Sequence, residues 1–316
     1  MAGPSYAQQQ QIRIGIGFGL AFLPLYISED LKLVEKHAKL EHLDVKVSYQ
    51  RFLGAGPIEE AIALGAIDVG PFGTAPLLVA WEKTGGTPQQ ILAVSGITTM
   101  PLALLSNQPG VQTIADLKPA DRIALPSLTA PQMFVLELQS EKVFGQFDRL
   151  REQVVALPHP DSIAALIAAT GPVTAYFSSP PFTQLALRDA NIHKVLGSAE
   201  VMDGKASFLV LGATRSTIEA QPKMPEVIEQ AIDEAARLIR DDPRRAAQIY
   251  LTHEPSKTLN AAAIETVLRE IKDEFGSAVH GMQVMADFMG RHGGLDAPPR
   301  SWKDVVAPAL MNSPGS

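Results

Sequence analysis

Three loops built mainly from small residues are the parts of this sequence best suited to bind a ligand. Each loop ends at a proline, which suits the first position of an α-helix because the N–H of that position has no partner within the helix. A helix start offers N–H groups without partners and about half a positive charge, so it suits an anion. Each loop taken alone also fits an ordinary connection between a strand and a helix. The loops are residues 19–23 before Pro24, residues 54–56 before Pro57 and residues 126–130 before Pro131.

Three further side chains could contribute polar groups to such a site. Thr74 ends a turn rich in Gly and Pro, and His159 lies between two prolines after an extended segment. Arg51 ends a strand, where it could pair with the carboxylate of a ligand. A solvated loop histidine and a solvated arginine at a strand end fit the same patterns.

Familiar signatures of nucleotide binding and catalysis are missing from the sequence. Gly15, Gly17 and Gly19 follow a strand, as in a dinucleotide-binding loop, but Leu20 and Phe22 occupy the candidate positions of the third glycine. The sequence contains no phosphate-binding loop motif, no H-E-x-x-H and no G-x-S-x-G. Its histidines do not have metal-ligand spacing. We therefore expect neither a cofactor nor a metal, and no catalytic residues.

Composition excludes several classes of protein. The 316 residues are 46% hydrophobic and 19% charged, which is enough apolar content for two packed cores. The net charge is −7 and the basic residues are scattered, so nucleic acid is not an expected partner. The absence of cysteine removes thiol catalysis, disulfides and Cys-based zinc sites. There is no apolar run of about 18 residues, so membrane insertion is not expected.

Short strands alternate with helices over the first 180 or so residues, which predicts an α/β fold with open sheets. In such sheets ligands bind beyond the carboxyl ends of the strands, where the three loops lie. The last third is predicted to be helical. Asp68 is expected to fix the turn before Val69. The predicted strands are 12–18, 44–49, 67–69, 90–95, 102–106, 122–125, 154–157 and 173–177, and the predicted helices are 24–37, 57–64, 131–143, 162–169, 225–239, 243–251, 261–275 and 281–289.

The first ten residues allow two interpretations. Pro4-Ser5-Tyr6-Ala7 places small residues at the positions that a signal peptidase reads, and a polar start follows. Residues 1–10 therefore fit the remnant of a signal peptide whose charged and apolar parts are missing. An unstructured polar tail fits them equally well.

Five stretches, taken together, resemble a known family over nearly the whole chain. The family is the periplasmic substrate-binding proteins of ABC importers for nitrate, sulfonates and taurine, which is close to the thiamine-pyrimidine precursor proteins. The stretches that carry the resemblance are "IGIGFGLAFLPLYISEDLKLVEKH", "GAGPIEEAIALGAIDVGPFGTAPLLVA", "GVQTIADLKPADRIALPSLTAPQMFVLELQ", "LPHPDSIAALIAATGPVTAYFSSPP" and "MPEVIEQAIDEAARLIRDDPRRAAQIY".

The resemblance implies a two-lobed type II periplasmic-binding-protein fold with a helical C-terminal region. Lobe one would comprise residues 11–99 and 203–300, lobe two residues 100–202, and residues 301–316 would form a tail. The implied function is a periplasmic solute-binding protein that is not an enzyme. It would close around a small anionic ligand and deliver it to an ABC permease in the inner membrane. A monomer is expected.

The resemblance also implies a set of ligand-binding residues from both lobes. These belong to the loops that the sequence pattern selects, with the strand end near residue 177 added. His159 is retained as a pocket candidate on its position alone. The candidates are Phe18, Gly19, Phe22, Gly54, Ala55, Gly56, Thr74, Ser127, Thr129, Ala130, Gln132, His159, Phe177 and Ser178.

One departure from the family pattern bears on the ligand. Ser179 stands where sulfonate binders often carry a Trp, and a smaller side chain should leave a roomier pocket. We therefore expect a carboxylate or sulfonate larger than taurine or nitrate, which could be aromatic. Phenylalanines in or near the loops could contact it, although Phe134 also fits a core position on a helix. These phenylalanines are Phe18, Phe22, Phe72, Phe134 and Phe177.

Two other classes stay open on the sequence. An enzyme on the same fold, such as a chorismate dehydratase-like or pyrimidine-precursor synthase-like protein, would need acid and base groups or a metal in its cleft. The lack of cysteine argues against the pyrimidine-precursor synthase, because enzymes of that kind carry a Cys-rich motif. A sensory binding module would normally carry a DNA-binding or membrane segment, and none is found.

Overall fold

The computed structural model describes residues 10–53, 55–128, 130–256 and 259–316 of the chain. The strands in these residues are β1 (Gln10–Ile16), β2 (Val45–Arg51), β3 (Gly70–Phe72), β4 (Ile91–Thr98), β5 (Ala103–Ser106), β6 (Arg122–Leu125), β7 (Val154–Ala156), β8 (Val173–Ser178), β9 (His193–Gly197) and β10 (Leu209–Thr214). The helices are α1 (Leu23–Leu31), α2 (Leu33–Leu40), α3 (Ala55–Ala63), α4 (Thr74–Lys83), α5 (Pro131–Phe144), α6 (His159–Ala168), α7 (Phe182–Ala186), α8 (Ser198–Val201), α9 (Arg215–Ala220), α10 (Met224–Asp241), α11 (Pro243–His253), α12 (Ala261–Ile271) and α13 (Met282–Arg291).

The chain folds into two compact units. Of the described residues, 10–99 and 207–316 form unit 1, and 100–206 form unit 2. The sequence analysis places lobe two at residues 100–202, and unit 2 spans residues 100–206. Residues 1–9 lie outside the described part of the chain.

Unit 1 contains two small sheets. Strands β1 and β2 pair in parallel from Gln10 and Val45 onward, and a bridge between Ile14 and Val69 follows beside them. In the second sheet, β10 lies between β3 and β4 and runs antiparallel to both. The isoleucines of β1 alternate with other residues along the strand and are buried, as a period of two requires when one face packs on a core.

A turn at Asp68 is tied to β1 by three hydrogen bonds. The carboxylate of Asp68 accepts bonds from the backbone N–H of Arg13 at 2.8 Å and from its guanidinium at 2.6 and 2.9 Å. This confirms that Asp68 fixes the turn. The strand expected at 67–69 begins instead at Gly70, because residues 67–69 form the turn and the single bridge.

Helices cover unit 1, and α10 is their central element. Apolar residues recur on one face of α10, and it packs against α1, α2, α11 and β4. The single helix expected over residues 24–37 is divided into α1 and α2 at Lys32, whose φ of 50° lies in the left-handed region.

The last residues of the chain pack into unit 1. Val305 and Val306 are buried, Val306 forms a bridge with Ala93, and the N–H of Ala307 donates to the carbonyl of Ala93 at 2.7 Å. The expectation of a C-terminal tail at 301–316 is therefore wrong, because consecutive apolar residues, Val305 to Ala307, are buried and bonded to β4.

Unit 2 is built on one mixed sheet with the order β7-β6-β8-β5-β9. Strand β6 is parallel to β7 and β8, whereas β5 is antiparallel to its two neighbours. One side of the sheet packs on α6 and α7. The buried cluster at this contact comprises Ala103, Leu105, Ala124, Leu166, Tyr176, Ala186 and Ile192.

Within the described residues, no helix combines the length and the apolar composition that a bilayer span requires.

Candidate functional site

A cavity of about 300 Å³ lies in unit 1, beyond the carboxyl ends of β1 and β2. This is the edge of a parallel sheet at which α/β proteins bind ligands. The wall is mainly apolar, and Phe18 and Leu53 are 49% and 86% exposed, which is high for such large side chains. The lining residues are Gly17, Phe18, Phe22, Leu53, Ile58, Pro71, Gly73 and Leu209.

The segment of residues 17–22, called the first loop below, forms one wall of this cavity. A Cβ at Gly17 would lie 2.5 Å from the ring of Phe22, so the ring packs directly on the Gly17 backbone. Gly19 has a φ of 114°, which only glycine adopts readily. Glycine at both positions is thus required by the shape of the loop.

The carboxylate of Glu254, a residue far along the chain from the first loop, is bonded to that loop. Glu254 follows α11, and its Oε1 accepts hydrogen bonds from the N–H of Gly19 and from the hydroxyl of Tyr26, both at 2.5 Å. The Tyr26 hydroxyl also lies 3.0 Å from the carbonyl oxygen of Gly17. Burial, together with this carboxylate, raises the pKa of Tyr26, so the hydroxyl keeps its proton and donates it.

Two N–H groups of the first loop have partners within the chain. The N–H of Gly19 donates to Glu254, and the N–H of Phe22 donates to the carbonyl of Gly19 at 3.0 Å. A single turn of 3₁₀ helix over Leu20–Phe22 precedes α1. These two groups are therefore already bonded, and the loop contributes the rings of Phe18 and Phe22 to the cavity wall.

Arg51 is paired within the chain. Its guanidinium lies 2.7 Å from Glu29 Oε2 and 2.7 Å from His253 Nδ1, and it stands over the ring of Tyr26 at 5.1 Å. The second nitrogen of His253 lies 2.9 Å from Asp30 Oδ1. Since acidic side chains of the chain already face Arg51, the suggestion that it pairs with the carboxylate of a ligand receives no support.

Helix α4 places its N-terminus at the cavity. Gly73, which lines the cavity, precedes the helix as its N-cap and has no side chain with which to cap it. The hydroxyl of Thr74 donates to the carbonyl of Ser207 at 2.5 Å, and Thr74 is buried. The Thr74 hydroxyl is thus bonded inside the protein, and no side chain among the described residues caps the N–H groups at the start of α4.

Helix α3 also begins near the cavity, which Ile58 of this helix lines. Ala55 is its first residue, and Gly56 has open space where a Cβ would stand. Gly54 lies outside the described residues.

In unit 2, His159 sits in a cluster of side chains at the start of α6. Its Nδ1 is hydrogen-bonded to the hydroxyl of Tyr176, its Nε2 lies 3.3 Å from Ser179 Oγ, and its ring stacks on Phe182 at 4.7 Å. Burial lowers the pKa of His159 to about 4 and raises the pKa of Tyr176. The imidazole is therefore neutral near pH 7, so one of its nitrogens donates and the other accepts in its two contacts with Tyr176 and Ser179.

The loop before α5 is a tight turn. The N–H of Ala130 donates to the carbonyl of Ser127 at 3.0 Å, and the carbonyl of Ala130 accepts from Met133 at 2.9 Å. Gln132 is 1% exposed, and its Oε1 has no hydrogen-bond partner among the described residues. Thr129 lies outside the described residues.

Phe177 and Ser178 lie in the interior, at the end of β8. Both are 0% exposed, and the hydroxyl of Ser178 lies 3.0 Å from the carbonyl of Ala103 and 2.8 Å from Thr183 Oγ1. The expectation that they contact a ligand finds no exposed surface to support it. Phe72 in β3 is likewise buried, because its ring packs against Gly212 of β10.

The structure brings Phe18 and Phe22 together in one cavity, and sequence reasoning missed most of the other residues there. Pro71 and Gly73 lie in a turn that the sequence analysis marked only for Thr74. No sequence pattern marked Leu209, which lines the cavity, or Glu254, which is bonded to the first loop, because both lie far along the chain from that loop. Among the described residues, no group of three or more His, Asp or Glu side chains has an arrangement that could hold a metal ion.

No protein-family model matches this sequence, and no curated protein matches it. Comparison with solved structures does give matches. The periplasmic aliphatic sulphonate binding protein SsuA from Escherichia coli superposes with a TM-score of 0.72 at 18% identity, over 95% of this chain and 92% of that one. The alkanesulfonate-binding protein SsuA from Xanthomonas axonopodis pv. citri, bound to MOPS, gives 0.68 at 21% identity, over 96% and 98%.

A third structure is the periplasmic nitrate-binding protein NrtA from Synechocystis PCC 6803. It gives a TM-score of 0.61 at 14% identity, over 98% of this chain and 86% of that one. At these identities the likeness is one of fold. The chain has the fold of periplasmic binding proteins, which confirms the expected α/β fold class with its helical C-terminal region.

Proposed function

We propose that this chain is a periplasmic solute-binding protein that captures a small organic anion with an apolar part and delivers it to an ABC importer. The observation that carries the proposal is the apolar cavity of about 300 Å³ beside the N-terminus of α4. The fold supports it, since the proteins similar in structure are named as binders of sulfonates and nitrate.

The apolar wall indicates which part of a ligand the cavity would hold. An alkyl or aromatic group that leaves water for this cavity gains about 25 cal/mol for each Å² of apolar surface buried. The exposed side chains of Phe18 and Leu53 would lose contact with water at the same time. Nitrate has no apolar part, so a nitrate ion would gain nothing from this wall.

The anionic group of the ligand would lie at the start of α4. A helix N-terminus stabilises a negative charge through its unpaired N–H groups and its dipole, typically by about 0.3–1 kcal/mol where exposed and more where partly buried. Neither Arg51, which faces Glu29, nor the neutral His159 provides a positive charge for this purpose. Recognition would therefore depend on backbone donors rather than on an ion pair.

Binding without chemical change is the activity we propose. The Ser179, His159 and Tyr176 cluster contains a serine and a histidine, but the histidine is oriented by a tyrosine hydroxyl instead of a carboxylate. A carboxylate would stabilise the imidazolium that forms when a histidine takes a proton from serine, and a neutral hydroxyl does so far less. The cluster thus suits a neutral hydrogen-bonding role.

A thermal-shift screen tests the proposal. Protein stripped of bound ligand by unfolding and refolding would be heated with hexanesulfonate, benzenesulfonate, hexanoate, benzoate, taurine or nitrate. A ligand at about a thousand times its Kd stabilises a protein by about 4 kcal/mol, a shift of several degrees in Tm. We expect shifts with the four anions that carry an alkyl or aromatic group and none with nitrate. Equal shifts with nitrate and hexanesulfonate would contradict the apolar cavity as the binding site.

The partner and the location belong to the same proposal. A periplasmic receptor of this kind would deliver its ligand to a permease in the inner membrane and would act as a monomer. Copurification with a permease encoded beside it, in the presence of the bound ligand, would support delivery. Fractionation of cells that produce the protein would test the periplasmic location.

A further inference from the structure

We propose that Glu254 is a positioning residue that holds the first loop in the conformation forming the cavity wall, and that ligand affinity depends on this contact. The second part rests on the proposed function. Glu254 belongs to none of the motifs that resemble binding proteins, and it does not line the cavity itself.

Glu254 contacts the first loop at Gly19, where no side-chain packing restrains the backbone. Gly19 has a φ of 114° and no side chain, and beyond its chain neighbours no atom of the described residues lies within 4 Å of the point where a Cβ would stand. Side-chain packing therefore does not fix its conformation. Its N–H donates to Glu254 Oε1. Because the acceptor is a charged carboxylate, this bond is stronger than one to a neutral oxygen.

The Tyr26 hydroxyl lies between the same carboxylate and Gly17, at the start of the first loop. It lies within hydrogen-bond distance of both Glu254 Oε1 and the Gly17 carbonyl, and Tyr26 is completely buried. Gly19 is thereby bonded to the carboxylate, and the carbonyl of Gly17 lies against the hydroxyl that the carboxylate holds. The backbone is therefore contacted by this pair of side chains on both sides of Phe18, whose ring is exposed.

Glu254 is itself held in place by its surroundings. Its backbone N–H donates to the Tyr250 carbonyl at 2.8 Å, and its Oε2 lies 3.3 Å from the Tyr250 hydroxyl. The preceding residue, His253, stacks on Tyr26 at 4.7 Å and is bonded to Arg51. The carboxylate thus has a fixed position from which to hold the loop, which a flexible surface glutamate would lack.

Amide hydrogen exchange of Gly19 tests the positioning role without any ligand. We would measure it by NMR in the wild type, Glu254→Ala and Glu254→Gln, with Glu270→Ala as a control for loss of an exposed acidic residue on α12. The N–H of Leu77, which donates to the Gly73 carbonyl, serves as the reference for changes in the whole unit. We expect exchange at Gly19 at least about tenfold faster in Glu254→Ala, with Leu77 unchanged. Glu254→Gln keeps an acceptor oxygen but loses the charge, so its exchange at Gly19 should lie between the wild type and Glu254→Ala.

Affinity for hexanesulfonate, measured by calorimetry in the same four proteins, tests the dependence of binding. We expect a Kd at least about tenfold higher in Glu254→Ala, a value within about threefold of wild type in Glu254→Gln, and no change in Glu270→Ala. Unchanged exchange at Gly19 in Glu254→Ala, or equal acceleration at Gly19 and Leu77, would overturn the positioning role. Faster exchange with unchanged affinity would overturn the link to binding. If hexanesulfonate and the other anions fail to bind the wild type, the proposed function fails while the exchange result still decides the role of Glu254.

Discussion

His159, the partly buried histidine at the start of α6 in unit 2, should make the stability of the protein fall as the solution becomes acidic. His159 is enclosed by Tyr176, Phe182 and Ser179, and burial lowers its pKa from 6.5 to about 4. Below pH 6.5 the unfolded chain takes up a proton at this position, whereas the folded protein does not until about pH 4. The unfolded state therefore binds more protons in this window, and the free energy of unfolding decreases as the pH is lowered through it.

The size of the effect follows from the two pKa values. A difference of one pKa unit corresponds to about 1.4 kcal/mol, so the full difference is worth about 3 kcal/mol when the pH has fallen below both values. Between pH 7 and pH 4.5 the loss amounts to about 2 kcal/mol. This is a large part of the 5–15 kcal/mol or so by which a typical domain is stable.

Urea unfolding at pH 7 and pH 4.5 measures this loss directly. His159→Gln removes the titrating group, so we expect the wild type to lose about 2 kcal/mol more than this variant over the interval. His42→Asn, which changes an exposed histidine with a positive φ to a residue that tolerates that conformation, should lose as much as the wild type. A wild type and a His159→Gln variant with the same dependence on pH would refute the reasoning.

Two other substitutions test how the first loop and the neighbouring turn are built. Gly17→Ala places a Cβ 2.5 Å from the Phe22 ring, so the ring must move and the cavity must change shape; we expect about 1–3 kcal/mol of destabilisation and weaker hexanesulfonate binding by calorimetry. Gly110→Ala, with open space at the same point, should alter neither property, and equal behaviour of the two variants would contradict the packing described. Asp68→Ala removes the acceptor of three bonds from Arg13 and should cost about 2 kcal/mol in urea unfolding, with Asp68→Asn intermediate; a cost near zero would show that the turn does not need them.

Much of the secondary structure could be predicted because its signals are local. Strand β6 is found at the predicted residues 122–125, and α5 begins at the predicted Pro131. Proline at a helix start and alternation along a strand act within a few residues, so one sequence suffices to read them.

Elements whose pairing is not local were missed. Strand β10 lies between β3 and β4, yet its sequence, LVLGAT, has no alternation, because both of its faces are covered in unit 1. Helix α4 was not predicted either, since its N-cap Gly73 and the prolines around it resemble a continuing turn. In both cases tertiary packing determines the structure that local propensity leaves open.

The candidate site shows the same division. Phe18 and Phe22 could be placed at a ligand-binding edge because they follow a strand and precede a proline. That Gly19 donates to Glu254 could not be read from the sequence, because the two residues are 235 positions apart. Phe177 was predicted to contact a ligand, but its side chain is completely buried. The sequence does not separate these cases, because an aromatic residue at a strand end can face either the interior or a ligand.

Titration calorimetry with hexanesulfonate, using refolded protein freed of bound ligand, tests the central claim most directly. We expect one molecule bound per chain, released unchanged, with a negative change in heat capacity because an alkyl chain leaves water for the apolar cavity. Nitrate should give no heat of binding under the same conditions. Absence of binding by every organic anion tested, or conversion of the bound molecule to a product, would contradict a solute-binding function.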